Sequence, residues 1–412
     1  MTLSTRRLGP DDSAAVHDAS VALGVEAFGS WPAHLPRPSA PAPGAWPDGV
    51  AMWATFDEAH PDPATGEPPL VARVRTHDYT SWFGGAAIPT SGYAGVAVAV
   101  EHRGAGLLAD LFRASLTDLV AEGAVLSSLF PTAPGIYRRL GYETVTALDE
   151  LELPAASLSG LRPEPEVRLR RAGLADLPAV AATYDAWARL QNGPLTRRGP
   201  LFRIEKLLND VTGVTLAEVD GPDGSRVVGY ASWERGSGYG PDKVLTVPDL
   251  VALTPGAARA LWRAVGTFAP VTGRIRVSTS EPDTTRLVLP GTGGDRVATH
   301  PYMLRVLDLP GAVAPRTFTV DGRVDLAVAG DVLGLVDGSW RLEVSGGVAQ
   351  ARRTDGSADA PTLSVQGLAL LYAGTLGTAN LRLAGHLTGP AHADTLLDLW
   401  FGGRQVHVRD SF

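Results

Sequence analysis

Two short stretches of this 412-residue sequence hold residues whose types and spacing could do chemistry. The first covers residues 95–108 and reads GVAVAVEHRGAGLL; the second covers residues 131–143 and reads PTAPGIYRRLGYE. In the first stretch, alternating valines and alanines lead to an arginine and two glycines, and leucines then recur at helical spacing. Glycines let the backbone approach a ligand closely, and the N-terminus of a helix favours an anion. The first stretch therefore predicts a strand, an anion-binding turn and the start of a helix.

The turn resembles the coenzyme A pyrophosphate loop of the GCN5-related N-acetyltransferases. The resemblance rests on Arg103-x-x-Gly106, which follows the strand V-A-V-A-V directly. The family's frequent proline is replaced by Val100 and its usual last small residue by Leu108, but neither change removes a backbone N–H donor. An ordinary strand-to-helix connection is the alternative. The Walker and Rossmann phosphate-loop patterns do not fit.

The second stretch agrees with the first, because the same family places a general-acid tyrosine on a short helix after the next strand. Tyr137 occupies that position, and Leu140-Gly141-Tyr142 matches the family's usual L-G-[F/Y]. A tyrosine on a short helix is more often a packing residue. Two family motifs in the right order nevertheless favour the catalytic role.

Composition argues against several other kinds of chemistry. The chain has no cysteine, which rules out disulfides, thiolate catalysis and cysteine-ligated metals. Its nine histidines are dispersed without H-E-x-x-H, so no metal is expected, and no G-x-S-x-G elbow is present. A net charge of −8 argues against nucleic acid and is compatible with a cationic substrate. No apolar run approaches the ~20 residues of a membrane span and no signal sequence is visible, so we expect a cytoplasmic protein without membrane contact.

Length and changes in composition predict three units. A proline-rich break near Pro154 and 163–165 ends the first unit. The predicted units cover residues 1–155, 156–300 and 301–412.

The second unit restarts like the first, with a strand at 167–171 and a helix after Asp176. Where a pyrophosphate loop should appear, residues 254–262 contain no R-x-x-G-x-G, and Pro255 removes a donor. We therefore expect a degenerate acetyltransferase-type fold that no longer binds a cofactor.

The third unit mixes short strands and helices and resembles a sterol-carrier-protein-like domain. Its predicted elements are strands at 317–320, 324–328, 339–344 and 348–353, a strand running into a helix at 362–372, and a final helix at 391–400. The predicted fold class is α/β (α+β): two tandem GCN5-related acetyltransferase folds, the second degenerate, and a C-terminal sterol-carrier-protein-like α+β domain.

Three units in this order resemble the enhanced intracellular survival (Eis) acetyltransferases of actinobacteria over nearly the whole length. The resemblance implies acetyl coenzyme A (acetyl-CoA) as co-substrate and amines as acceptors, including several aminoglycoside positions, lysine side chains and polyamines. It also implies a homo-hexamer. The implied cofactor contacts are Val96, Ala97, Val98, Arg103, Gly104, Ala105, Gly106, Leu107, Leu108, Thr132 and Ala133.

The resemblance further implies direct transfer, with Tyr137 as general acid and the carboxylate of the last residue, Phe412, as base. A free α-carboxyl has a pKa of roughly 3.5, too low to deprotonate an alkylammonium efficiently. The Phe412 carboxylate is therefore better described as an anionic anchor that stabilises the charge formed on attack.

Acidic side chains should attract a cationic amine to the site. The candidates for substrate binding are Glu26 and Asp410, with Phe28 and Trp31 as hydrophobic walls. A non-catalytic lipid or ligand carrier built around residues 310–412 is the alternative function. The retained loop and Tyr137 weigh against that alternative.

Overall fold

The computed structural model describes residues 2–9, 11–29, 48–63, 66–202, 205–222, 224–291 and 294–412. Its strands are β1 (Leu3–Arg7), β2 (Val50–Asp57), β3 (Leu70–Phe83), β4 (Ala86–Val98), β5 (Leu126–Leu129), β6 (Glu143–Pro154), β7 (Arg168–Arg171), β8 (Gly213–Gly221), β9 (Gly224–Arg235), β10 (Gly240–Ala252), β11 (Thr272–Thr279), β12 (Asp295–Val306), β13 (Gly322–Ala329), β14 (Gly338–Ser345), β15 (Val348–Arg353), β16 (Thr362–Ser364) and β17 (Leu387–Thr388). Its helices are α1 (Ala14–Phe28), α2 (Leu107–Ala121), α3 (Pro134–Arg138), α4 (Leu177–Ala188), α5 (Lys206–Asn209), α6 (Pro255–Gly266), α7 (Leu309–Val313), α8 (Val365–Ala373), α9 (Thr378–Leu383) and α10 (Asp394–Phe401).

Twelve of these strands form one sheet, in the order β1-β2-β3-β4-β5-β12-β6-β11-β10-β9-β8-β7. β12 follows the second unit along the chain, yet it lies between β5 and β6 and is antiparallel to both. β6 in turn pairs with β11 of the second unit. The two units therefore share strands, and the division predicted at 300/301 falls inside β12. The other division, at 155/156, stays a prediction.

The gap that forms the site begins where β4 and β5 part. The two strands are parallel partners only from Thr90 opposite Leu126 to Tyr93 opposite Leu129. Beyond that point β4 continues to Val98 and pairs with β3 alone, across a bulge near Ala94. The last residues of β4 therefore have one edge without a strand partner.

Helix α2 closes the connection from β4 to β5 and packs on the sheet. Its residues Leu111, Phe112 and Leu116 are fully buried, which follows from their spacing along one helical face. The stacked rings of Phe112 and Tyr93, 4.6 Å apart between centroids, join the helix to β4. This core fixes the position at which α2 begins.

The C-terminal unit has a separate five-stranded sheet, in the order β15-β14-β13-β16-β17. The predicted strand at 348–353 and the predicted strand-to-helix change at 362–372 match β15, β16 and α8. The predicted strand at 317–320 is wrong. Phe318 packs against the rings of Trp400 and Phe401, and Thr317 donates a backbone hydrogen bond to the Gly84 carbonyl, so this segment joins units instead of pairing in the sheet.

None of the described helices is both long and apolar enough to cross a membrane. Within the described ranges, no group of three or more histidine, aspartate and glutamate side chains is placed to hold a metal ion.

Candidate active site

A cleft of about 650 Å³ lies between the end of β4, the start of α2 and the short helix α3. It is lined by most of the residues for which the sequence predicts cofactor contacts. The lining residues among those predictions are Val96, Ala97, Val98, Arg103, Gly104, Gly106, Leu107, Leu108 and Thr132. Ala105 and Ala133 are neighbours of lining residues in the sequence but do not themselves line the cleft. Ala133 is the residue before α3.

The turn into α2 presents free backbone donors to this cleft. Gly104 and Gly106 have φ values of 83° and 81°, in the left-handed region that glycine adopts most easily. Within the described part of the chain, the N–H groups of Gly104, Gly106, Leu107 and Leu108 find no acceptor. These donors and the positive end of the α2 dipole fit an anionic group such as the pyrophosphate of coenzyme A.

Arg103 and Glu26 hold the turn in place. The Arg103 Nε donates to the Val98 carbonyl at 3.2 Å, and its Nη2 lies 4.0 Å from the Glu26 carboxylate. The same carboxylate accepts a hydrogen bond from the Val100 N–H at 3.0 Å. Glu26, predicted as an acceptor-binding residue, is therefore placed between α1 and the cofactor loop.

Tyr137 forms part of the cleft wall, and its phenol is protonated and therefore able to donate a proton. The residue is 7% exposed, and its ring packs edge-on against Phe112 and Tyr142. In the described ranges its hydroxyl has no hydrogen-bond partner, whereas the Tyr142 hydroxyl lies 2.6 Å from Ser127 Oγ. Burial raises the pKa of Tyr137 to about 12, so the phenol is protonated at neutral pH.

Phe412 packs where β4 and β5 part. Its ring centroid lies 5.1 Å from that of Tyr79, 5.6 Å from Phe130 and 6.2 Å from His77. The ring also covers Gly92 of β4, where an added Cβ would come within 2.5 Å of it. A glycine is therefore required at this point for the last residue to approach the strand.

Asp410, predicted as an acceptor-binding residue, is buried in an ion-pair network. Its carboxylate lies 3.0 Å from Arg197 Nε and accepts a hydrogen bond from the Tyr184 hydroxyl. Arg197 also pairs with Asp249 at 2.6 Å, and Asp249 lies 3.4 Å from Arg409. The Asp410 carboxylate therefore links the C-terminal tail to the second unit through these contacts. Sequence alone did not indicate this network, because its members are up to 226 residues apart.

Of the two residues predicted as hydrophobic walls, Phe28 and Trp31, the structure describes only the first. Phe28 is 56% exposed at the end of α1 and lines the cleft. Trp31 lies outside the described residues.

The described part of the second unit has no comparable turn at the start of its helix α6. α6 starts at Pro255, which has no N–H, and the Thr254 hydroxyl accepts the hydrogen bond from Ala257 N at 3.1 Å. The free donors found at the start of α2 are thus reduced here, in agreement with the expectation of a structural role.

Comparison with known families and structures places these features in context. Residues 63–145 and 193–306 each match an acetyltransferase (GNAT) domain, and residues 309–409 match a sterol carrier protein domain. An uncharacterized N-acetyltransferase of Streptomyces coelicolor is 30% identical over 316 residues, 74% of this chain and 76% of that protein. The N-acetyltransferase Eis of Mycobacterium bovis is 27% identical over 71% of this chain and 74% of its own.

The fold extends beyond the matched segments. The crystal structure of a GCN5-related N-acetyltransferase from Kribbella flavida covers 100% of this chain and 99% of its own at 29% identity, with a TM-score of 0.78. The predicted fold class, two acetyltransferase-type units and a sterol-carrier-like domain, is confirmed. The chain belongs to the Eis family of GCN5-related N-acetyltransferases, enzymes whose co-substrate is acetyl-CoA.

Proposed function

We propose that this N-acetyltransferase transfers the acetyl group directly from acetyl-CoA to an amine, with Tyr137 as general acid and the Phe412 carboxylate as anionic anchor. One observation carries the proposal: a single cleft combines a turn of free backbone donors with a buried, protonated tyrosine that has no described hydrogen-bond partner. An anion-binding turn and a proton donor are the two parts that thioester aminolysis needs.

In the binding step, the loop from Arg103 to Leu108 holds the pyrophosphate of the co-substrate by its free N–H groups and the α2 dipole. The end of β4, from Val96 to Val98, lines the same cleft and has no β5 partner. Its backbone is therefore open to hydrogen bonding with the acetyl-bearing arm, and N–H groups there would polarise the thioester carbonyl.

In the transfer step, the neutral amine nitrogen attacks the thioester carbon, the C–N bond forms and the C–S bond breaks. Tyr137 gives its proton to the departing sulfur, and the proton on the new ammonium leaves to water. A phenol whose pKa is about 12 is a weak acid towards a thiolate in water. The same apolar surroundings also raise the pKa of a thiol formed beside it, so the two groups are better matched in the cleft than in solution.

Phe412 supports this step without serving as a strong base. A carboxylate at this place would stabilise the ammonium formed on attack, through direct contact or through water. Its ring position beside Gly92 and Phe130 supports the proposal, because those residues flank the opening between β4 and β5.

Among the acceptors implied by the resemblance, aminoglycosides acetylated at several positions are the first candidates to test, followed by lysine side chains and polyamines. This finer proposal rests on the family, since the two acids predicted to attract a polycation are hydrogen-bonded elsewhere. A homo-hexamer and a cytoplasmic location stay predictions; light scattering of the purified protein tests the first.

The test is release of coenzyme A thiol from acetyl-CoA in the presence of a broad amine panel. Amine-dependent release with one acetylated product per thiol supports the proposal. No release with any amine would contradict it and would favour the carrier alternative.

A further inference from the structure

β3 carries a row of polar side chains on one face of the sheet. Arg73, Arg75, His77 and Tyr79 are at alternate positions, and alternate residues of a strand share a face. α1 covers the Arg73 end of this row, and the ring of Phe412 covers the His77 and Tyr79 end. The row therefore leads from α1 to the place proposed for acetyl transfer.

The two arginines of the row have no anionic partner among the described side chains. Among the described residues, their side chains make one hydrogen bond, from Arg73 Nη1 to Ser20 Oγ at 3.1 Å. Neither guanidinium group there pairs with a carboxylate. The Nε atoms of Arg73 and Arg75 are both buried without a hydrogen-bond partner. Both arginines are half-buried, and charges withdrawn from water are normally paired, as that of the fully buried Arg305 is with Asp331.

Burial lowers the pKa of each basic residue in the row. Burial, aided by the neighbouring Arg75, lowers the pKa of Arg73 to about 10, and burial lowers that of Arg75 as well. Both are still cationic at neutral pH. Burial and Arg75 lower the pKa of His77 to about 4, so this histidine is neutral and adds no charge.

No described acidic side chain nearby is available to neutralise the pair. Glu26 is bound to the cofactor loop and Asp410 to Arg197. Residues 30–47, which follow α1, contain an arginine and a histidine but no aspartate or glutamate. The carboxylate of Phe412 supplies at most one negative charge against two cations. A positive charge is left over on the acceptor side of the sheet.

We propose that the acceptor amine also carries an oxyacid group, a carboxylate or a phosphate, and that this group binds Arg73 and Arg75. Such an acceptor would be preferred to the aminoglycosides and polyamines that the family resemblance implies. The inference rests on the proposed acetyl transfer and names its acceptor class. Guanidinium groups suit this partner because their planar donors match two oxygens at once. The nitrogen of the same molecule then lies towards Phe412, attacks the thioester carbon and loses its proton as described above.

The spacing of the row indicates the length of the acceptor. Positions two apart on one strand are about 7 Å from each other, so Arg75 lies about that far from the level of His77 and Phe412. An acid and an amine separated by three to five carbon atoms span such a distance. 4-Aminobutyrate is therefore a suitable probe, and 3-aminopropylphosphonate is its phosphate-like counterpart.

The experiment compares kcat/KM of the full chain for acceptors that differ in one terminal group. 4-Aminobutyrate is set against 4-aminobutyramide, in which the charge is removed, and against 1,4-diaminobutane, in which it is reversed. We expect the acid to exceed the amide by about 10- to 100-fold, the range for a hydrogen-bonded charge. Comparison of 4-aminobutyrate with 3-aminopropylphosphonate shows whether the arginines prefer a carboxylate or a phosphate-like group.

Variants connect this preference to the row. Arg75→Gln should remove most of the preference for the acid and change kcat/KM for the amide less than about threefold, and Arg75→Lys should restore part of it. Arg113→Gln is the matched control, because Arg113 is exposed on α2 and paired with Asp110. Glutarate, a diacid without an amine, should bind the native protein and not Arg75→Gln in calorimetry. That result would not depend on turnover, and unchanged acetyl-CoA affinity would show that the variant is folded.

Equal kcat/KM for the acid and the amide would overturn the inference. So would a higher kcat/KM for the diamine or for an aminoglycoside, if Arg75→Gln leaves that value unchanged. Either result would still be consistent with acetyl transfer. No turnover of any amine would instead overturn the proposed function. The two failures are therefore distinguishable.

Discussion

At the scale of single residues, hydrogen bonding separates a chemical role from a structural one. Tyr137 and Tyr142 lie five positions apart and their rings touch edge-on. The hydroxyl of Tyr142 is bonded to Ser127, whereas that of Tyr137 is without a partner among the described residues. The same comparison distinguishes Arg305, which is paired with an aspartate, from Arg75, which has no such partner in the part of the chain that the structure describes.

Arg103→Ala is expected to raise the dissociation constant of acetyl-CoA by about tenfold, because it removes a charge beside the pyrophosphate turn and a hydrogen bond that holds that turn to Val98. Calorimetric titration measures this directly. Arg259→Ala, at the start of α6 in the second unit, is the control and should leave the constant unchanged. Unaltered affinity in Arg103→Ala would mean that the loop does not bind the cofactor.

At the scale of elements, the proposed site lies where two strands separate and where the C-terminal tail packs between them. β4 and β5 are partners over four residues, and the ring of Phe412 lies over Gly92 within that paired segment. A side chain at this position would compete with the ring for the same space. The position of the last residue is thus determined by β4 as much as by the tail itself.

Gly92→Ala should lower kcat by at least tenfold and leave the dissociation constant of acetyl-CoA within a factor of about two, because the new methyl displaces Phe412 and leaves the cofactor loop untouched. Steady-state kinetics and calorimetry together separate the two effects. Gly160→Ala is the control, since no neighbouring atom lies within 4 Å of the Cβ it would add. A normal kcat in Gly92→Ala would show that the position of Phe412 does not matter.

Local elements could be predicted from the sequence where local pattern decides them. The alternation in V-A-V-A-V predicted the last part of β4, which ends two residues earlier at Val98, and the leucine spacing after Gly106 predicted the start of α2. The pairing of β12 between β5 and β6 could not be predicted, because it is settled by contacts between distant segments. For the same reason the sequence could predict Glu26 and Asp410 as substrate-binding acids but could not show that Val100 and Arg197 are their partners.

At the scale of the whole molecule, the second unit supports the first. The two share one sheet through β6 and β12, and the second unit holds the C-terminal tail by buried ion pairs. Asp283 and Asp249 of the second unit lie 3.3 and 3.4 Å from Arg409 of the tail. The second unit, whose described part has no anion-binding turn, thereby positions Phe412 at the proposed site.

This buried network predicts that the protein loses stability in acid. Burial and the nearby Arg409 lower the pKa of His407 to about 3, against roughly 6.5 in an unfolded chain. Between these values the unfolded chain binds more protons than the folded one, so the free energy of unfolding falls as pH decreases from about 6.5 towards 3. Thermal unfolding at pH 7 and pH 5 should show a lower midpoint at pH 5. His407→Gln should reduce that difference; an identical difference in the variant would exclude His407 as its source.

The central claim is that Tyr137 gives the proton to the departing coenzyme A thiolate, and Tyr137→Phe tests it most directly. The change keeps the ring that packs on Phe112 and removes the hydroxyl alone. Two quantities are measured: kcat for acetyl transfer, and the dissociation constant of acetyl-CoA by calorimetry. They are compared in the native protein, in Tyr137→Phe and in Tyr239→Phe, a control at an exposed tyrosine. The account predicts a fall in kcat of about 10²- to 10⁴-fold in Tyr137→Phe alone, with acetyl-CoA affinity unchanged. A kcat within threefold of the native value would contradict it.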